Sequence, residues 1–341
     1  MKREGCILSF FWSFLAVLIF GRCTADEIAV ESPREKDSEI PLSIQIGQPQ
    51  TRVPGDTLFS VNRLLLLPFR QSNPGAGEAP SNYVPLYDKV KQVDASFFPV
   101  TTQTLALPSA DRYQLLVIGY NRTDYDFTYP TNAFRRFSIG STSSSPTLDN
   151  VYLQPVDPTD VPEFFVCIAE GYKNTTYIGP RFSPPQINHM TGTLKRIVGG
   201  FTLQISGIPS SVGSISLTAE QLVTAIRASD GTPLTWQTPG DSGKKLFGNQ
   251  APSSGRVTFN TYLLATPGDR KTLFYLDVAT GASTERFTMK VTDTPEVASA
   301  NRIIFSPNHW VNITGNYTDI KPGFFISGSI NLDDNAWDGL Q

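Results

Sequence analysis

Pro41-Leu42-Ser43-Ile44-Gln45-Ile46-Gly47 alternates apolar and polar residues without a break. That period of two belongs to a β-strand with one buried face and one wet face. Pro49 and the run Thr51-Arg52-Val53-Pro54 then end it, because proline removes a backbone donor and restricts the residue before it. The segment reads as one isolated strand followed by a loop. Residues 26–39, just before it, are acid-rich and lack apolar periodicity, the composition of a spacer with no fixed fold.

Moving outward, residues 59–69 hold the run Leu64-Leu65-Leu66-Leu67, and residues 105–107 and 113–120 are also strand-like. Together they predict the core of a β-sandwich. Pro180-Arg181-Phe182-Ser183-Pro184-Pro185 interrupts the pattern, and a fresh alternation runs from Leu194 to Ser206. A domain boundary is therefore expected near Pro185. Residues 215–217, 257–264, 272–278, 287–291, 310–313 and 324–332 add further strand-like segments, and residues 218–228 are the one short helix expected. With 26 glycines and 26 prolines the chain has no room for long helices. The fold class is all-β. A length of 341 residues is long for one core, so residues 53–185 are expected to form an N-terminal β-sandwich and residues 186–341 a C-terminal one.

The start of the chain has another character. Met1-Lys2-Arg3 is basic, residues 7–20 are continuously apolar, and Gly21-Arg22-Cys23-Thr24-Ala25 follows. This is the tripartite pattern of a secretory signal spanning residues 1–25, with an apolar run too short for a membrane-spanning helix. Two processing routes fit: lipidation of Cys23, or cleavage after Ala25 to leave Asp26 at the N-terminus. Residues 26–52 then comprise the spacer and the first strand.

Little in the chain points to catalysis. His189 and His309 are far apart in sequence, and neither has a Cys or carboxylate at ligand spacing. The Gly240-Asp241-Ser242-Gly243-Lys244-Lys245 run lacks the first glycine of a phosphate loop, since Thr238 stands there, and the sequence has no nucleophile elbow and no zinc-protease motif. Cys167, within Phe164-Phe165-Val166-Cys167-Ile168, reads as a small buried hydrophobe. No catalytic residue, metal site or cofactor is expected. A net charge of −3 and a pI near 5.5 leave no basic surface for nucleic acid.

Four features then occur in order: an export leader with a Cys, the strand at residues 42–47, Thr51-Arg52, and the strand at residues 61–69. In the second half come Gly192-Thr193-Leu194-Lys195-Arg196-Ile197-Val198 and a terminus running from Phe324-Phe325-Ile326 to Asp334-Asn335-Ala336-Trp337. This order resembles the type V fimbrial subunits (fimbrillins) of Bacteroidales, with their Mfa-like and FimB/Mfa-type accessory and anchor relatives. The resemblance implies two tandem Greek-key, transthyretin-like β-sandwiches. It further implies export as a lipoprotein anchored through Cys23 in the outer membrane, a protease cut after Arg52, and departure of a first strand whose apolar plugs are Leu42, Ile44 and Ile46. The vacated groove is refilled by the tail of another subunit, with Phe324, Ile326, Ile330, Leu332 and Trp337 as the donor residues here. Implied partners are other fimbrial subunits and a host or bacterial surface receptor. The physical logic is that removing one strand bares an apolar groove flanked by unpaired backbone groups, and an incoming strand satisfies both. The competing reading is a stand-alone surface glycan-binding lipoprotein in which Trp236, Trp310 and Trp337 stack on sugar rings.

Overall fold

The computed structural model describes residues 37–46, 61–96, 100–131, 133–237, 243–266, 272–291, 302–320 and 323–331. They fall within one compact unit, Glu35–Gln341. The leader with Cys23, and Arg52, Leu332 and Trp337, lie outside the described residues.

The described residues form strands and short 3-10 turns with no α-helix. In chain order the first half supplies β1 (Asp37–Ile46), β2 (Arg63–Gln71), β3 (Tyr83–Pro85), β4 (Lys91–Asp94), β5 (Val100–Pro108) and β6 (Tyr113–Tyr120). It continues with β7 (Phe137–Ser141), β8 (Val151–Pro155), β9 (Phe165–Lys173), β10 (Thr176–Gly179) and β11 (His189–Arg196). The second half supplies β12 (Val198–Ser206), β13 (Val212–Glu220), β14 (Val223–Arg227), β15 (Pro233–Trp236) and β16 (Lys245–Gln250). After these come β17 (Val257–Leu264), β18 (Leu273–Thr280), β19 (Ser283–Thr288), β20 (His309–Asn316) and β21 (Phe325–Asn331).

One sheet of nine strands runs β3-β2-β6-β9-β11-β1-β5, with β4 also pairing β2 and β10 pairing β9. Its central strands explain the apolar run at Leu64-Leu65-Leu66-Leu67, which does not alternate because both faces are covered. Leu64 and Leu66 join a core with Leu42, Ile44, Leu105, Leu115, Val117 and Met190. Strands from opposite ends of the sheet thus share one core, so the sheet curls back on itself. Lys91 of β4 spans the curl, its Nζ donating to the Thr104 carbonyl of β5 at 2.9 Å.

Leu65 and Leu67 face the other way, into a second core with Ile118, Phe137, Leu153, Val223 and Ile226. A four-stranded sheet, β15-β14-β8-β7, covers this face. A third core fills a sandwich in which β17-β12-β20-β21 packs on β16-β13-β18-β19, with Phe201, Leu203 and Ile205 meeting Leu217, Phe274 and Leu276.

The structure corrects three sequence readings. The boundary near Pro185 does not hold as a division of sheets, because β11 pairs with both β9 and β1 in the first sheet. Sheet membership changes at Ile197, whose N–H donates to the Phe164 carbonyl at 3.0 Å. The hairpin β14–β15 then returns to the first half, with Ile226 opposite Leu153 and Arg227 opposite Tyr152. The alternation changes phase at Arg196-Ile197-Val198, between Leu194 and the set Phe201, Leu203 and Ile205, which is where β11 gives way to β12.

Second, the expected helix at residues 218–228 is the end of β13 followed by β14, broken at Gln221 with φ 59°. Its apolar spacing fits a helix, but cross-strand partners on β16, β18 and β8 take the backbone hydrogen bonds, a tertiary override of local pattern. Third, the last spacer residues, Asp37, Ser38 and Glu39, belong to β1, where the Asp37 carboxylate pairs with Lys89 Nζ at 2.6 Å.

Candidate functional site

The first strand decides what this fold can do. β1 lies inside the large sheet, parallel to β11 on one flank and antiparallel to β5 on the other. The register sets Leu42 opposite Met190, Ile44 opposite Gly192 and Ile46 opposite Leu194. Pro41 fits an interior strand because the ladder to β11 begins only at Leu42, so its missing N–H interrupts nothing on that side.

The alternation seen in sequence becomes alternation in burial. Ile40, Leu42, Ile44 and Ile46 are 2%, 2%, 1% and 7% exposed, and Glu39, Pro41 and Gln45 face solvent. Gln45 Nε2 donates to Thr193 Oγ1 across the β1–β11 ladder at 2.9 Å. Ile44 occupies the space that a side chain at residue 192 would take: a Cβ on Gly192 would stand 2.8 Å from both Ile44 Cδ1 and Cys167 Sγ. Gly192 is therefore required by close approach. Burial pushes the Cys167 thiol up to about 12, with the Glu170 charge adding to the effect, so the sulfur is a neutral packing group.

The predicted donor tail lies in another sheet. Phe324 is 1% exposed and forms a parallel bridge with Val291. β21 continues from it as the edge strand beside β20, with Ile326 opposite Ile313 and Ile330 opposite Trp310. The structure does not bring β1 and β21 together. Sequence reasoning named Leu42, Ile44 and Ile46 but missed Ile40, although the same alternation extends back through Pro41 to reach it. It also missed Gly192, which only the register reveals.

Trp310 is not an exposed ring platform. It is 1% exposed, lies over Gly200 and donates from Nε1 to Thr202 Oγ1 at 2.9 Å. His189 stacks on Tyr172 with ring centroids 5.3 Å apart, and His309 Nδ1 donates to the Pro307 carbonyl at 2.8 Å. Both histidines sit in strands, half-buried. No group of metal-ligating side chains occurs among the described residues.

No protein-family model matches the chain, and no curated protein sequence does either. Among solved structures it is similar to the fimbrial anchor protein Mfa2 from Porphyromonas gingivalis, at 12% identity and a TM-score of 0.46, over 85% of this chain and 96% of that one. It is also similar to a candidate adhesin of Bacteroides ovatus, at 12% identity and a TM-score of 0.44, over 84% and 97% of the two chains. A candidate cell adhesion protein of the same species shares 11% identity at a TM-score of 0.42, over 86% and 98%.

Proposed function

We propose that the chain is an exported structural subunit of a bacterial surface fimbrium, assembled by protease-triggered donor-strand exchange and supporting cell adhesion. The observation that carries this reading is the place of β1. It is the first strand among the described residues, flanked by strands on both sides, and Arg52 follows it in the sequence before β2. A cut after Arg52 severs β1 from the body and leaves only noncovalent contacts to hold it.

Those contacts are strong enough to make an empty groove unstable. Four buried aliphatic side chains at about 1.5–3 kcal/mol each contribute on the order of 6–12 kcal/mol, comparable to the whole net stability of a domain. The groove must therefore be refilled. An incoming strand needs apolar residues at alternate positions, and Phe324, Ile326, Ile330 and Leu332 have that spacing in the tail. The sequence resemblance to fimbrillins supports the same assignment, together with anchoring through Cys23 at the outer membrane.

Incubating the purified precursor with an Arg-specific protease tests this reading. The expected result is a ladder of higher-order species on native gels that is absent for Arg52→Ala. Persistent monomer after clean cutting at Arg52 would overturn it.

A further inference from the structure

The loop joining β6 to β7 carries a cavity of about 510 Å³ lined by Arg122, Thr123, Tyr125, Asp126, Phe134 and Arg135. It is remote in character from the β1 groove, because its lining is charged and aromatic. The volume lies in the range of pockets that hold one small molecule.

Tyr125 is the most informative member. The residue is 4% exposed, and its ring packs against Phe137 with centroids 4.6 Å apart. Its hydroxyl nevertheless has no hydrogen-bond partner among the described residues and is not sealed from solvent. A buried phenol ordinarily finds such a partner, so this one is left to the cavity. Burial pushes it up to about 12, which keeps the proton on the oxygen.

Two arginines line the same cavity. Arg135 Nη1 donates to the neutral Pro130 carbonyl at 2.7 Å, and no carboxylate pairs with it among the described residues. Arg122 is 60% exposed, and its nearest carboxylate, Asp94 at 4.0 Å, is already held by Arg63 at 2.6 Å. Phe134, 81% exposed, lines the cavity with an aromatic ring. Asp126 is engaged by Gln92 Nε2 at 3.0 Å and the Thr128 N–H at 2.8 Å, which hold its carboxyl below the usual range.

We infer that this cavity binds the ring of an acidic sugar. The guanidinium groups match a carboxylate, the Tyr125 hydroxyl and Asp126 match ring hydroxyls, and Phe134 offers a face for the apolar side of the ring. The Asp126 charge, paired with Arg63 Nη1 at 3.7 Å, repels a dianion about twice as strongly as a monoanion, so a carboxylate fits better than a phosphate. This inference is independent of strand exchange: either can fail without the other.

Saturation-transfer NMR titrations on the full-length protein, with N-acetylneuraminic acid, glucuronic acid and neutral N-acetylglucosamine, test it. The expected result is saturable millimolar binding of at least one acidic sugar and none of the neutral one. Arg135→Ala, Phe134→Ala and Tyr125→Phe should each weaken binding about fivefold or more, the scale of one lost contact. Phe134 and Arg135 are exposed, so an unchanged circular dichroism spectrum is expected for their variants. The proposal is overturned if neither acidic sugar binds, if the neutral sugar binds as well, if the Phe134 and Arg135 variants bind like wild type, or if a peptide with a free terminal carboxylate binds more tightly than either sugar.

Discussion

Arg196 and Glu163 form an ion pair of 2.7 Å whose side chains are only 5% and 10% exposed. The pair ties the first sheet to the second sandwich: Arg196 Nη1 donates to Asn308 Oδ1 at 3.1 Å, and the Tyr262 hydroxyl donates to Glu163 Oε1 at 3.4 Å. The guanidinium also lies 4.8 Å above the Phe165 ring. Removing Glu163 takes the carboxylate at 2.7 Å away from a guanidinium that is only 5% exposed. Glu163→Ala should therefore lose about 3–5 kcal/mol, and the double variant Arg196→Met with Glu163→Leu should lose less than either single change. Urea denaturation reads both. A loss under about 1 kcal/mol for the single variant would mean that the pair behaves like an exposed one.

Ile44 and Gly192 share one volume, so their substitutions should couple. Gly192→Ala alone overpacks the site, at about 1–3 kcal/mol. Ile44→Ala alone leaves a cavity, at about 2–5 kcal/mol. The double variant should fall short of the sum by about 1 kcal/mol or more, since each change relieves the other. Strict additivity in denaturation midpoints would show that the two side chains do not compete for space.

A chain ending at Pro185 lacks β11, β14 and β15. It should therefore expose one flank of β1 and the face of β8, and it should show no cooperative unfolding and a poorly dispersed amide spectrum. A well-dispersed spectrum from that fragment would restore the boundary at Pro185.

The Cys167 thiol gives a signed pH dependence. An unfolded thiol ionises near its usual ~8.5, whereas burial pushes the folded one up to about 12. Between these values the unfolded state binds fewer protons, so stability falls as pH rises. The contribution is whole below the unfolded value and gone above the folded one. Comparing urea midpoints at neutral and alkaline pH, wild type should lose more than Cys167→Ala. Equal losses in the two proteins would remove the thiol from the account.

The strand content was legible in single segments: the continuous apolar run at residues 113–120 and the β-branched, partly alternating run at 257–264 match β6 and β17 residue for residue. What the sequence could not show was membership. Leu194 and Leu203 lie in one strand-like stretch yet enter different cores, and Ile226 reaches back to Leu153 across a gap that periodicity does not encode. The same limit applies to the candidate site. Leu42, Ile44 and Ile46 announce a buried face, but Gly192 carries no signal until register places it beneath Ile44. Tyr125 and Phe134 sit in a loop whose composition is rich in Asp, Thr and Arg, and nothing local distinguishes the ring that turns inward from the one left outside.

The parallel pairing of β1 with β11 has a mechanical consequence. Traction on the start of β1, opposed at the end of β11 where the chain passes into β12, would slide the two strands along each other. The five pairs from Leu42 to Ile46 would then bear the load at once instead of opening in succession. In that direction the joint resists tearing, and peeling from the side is the weaker route.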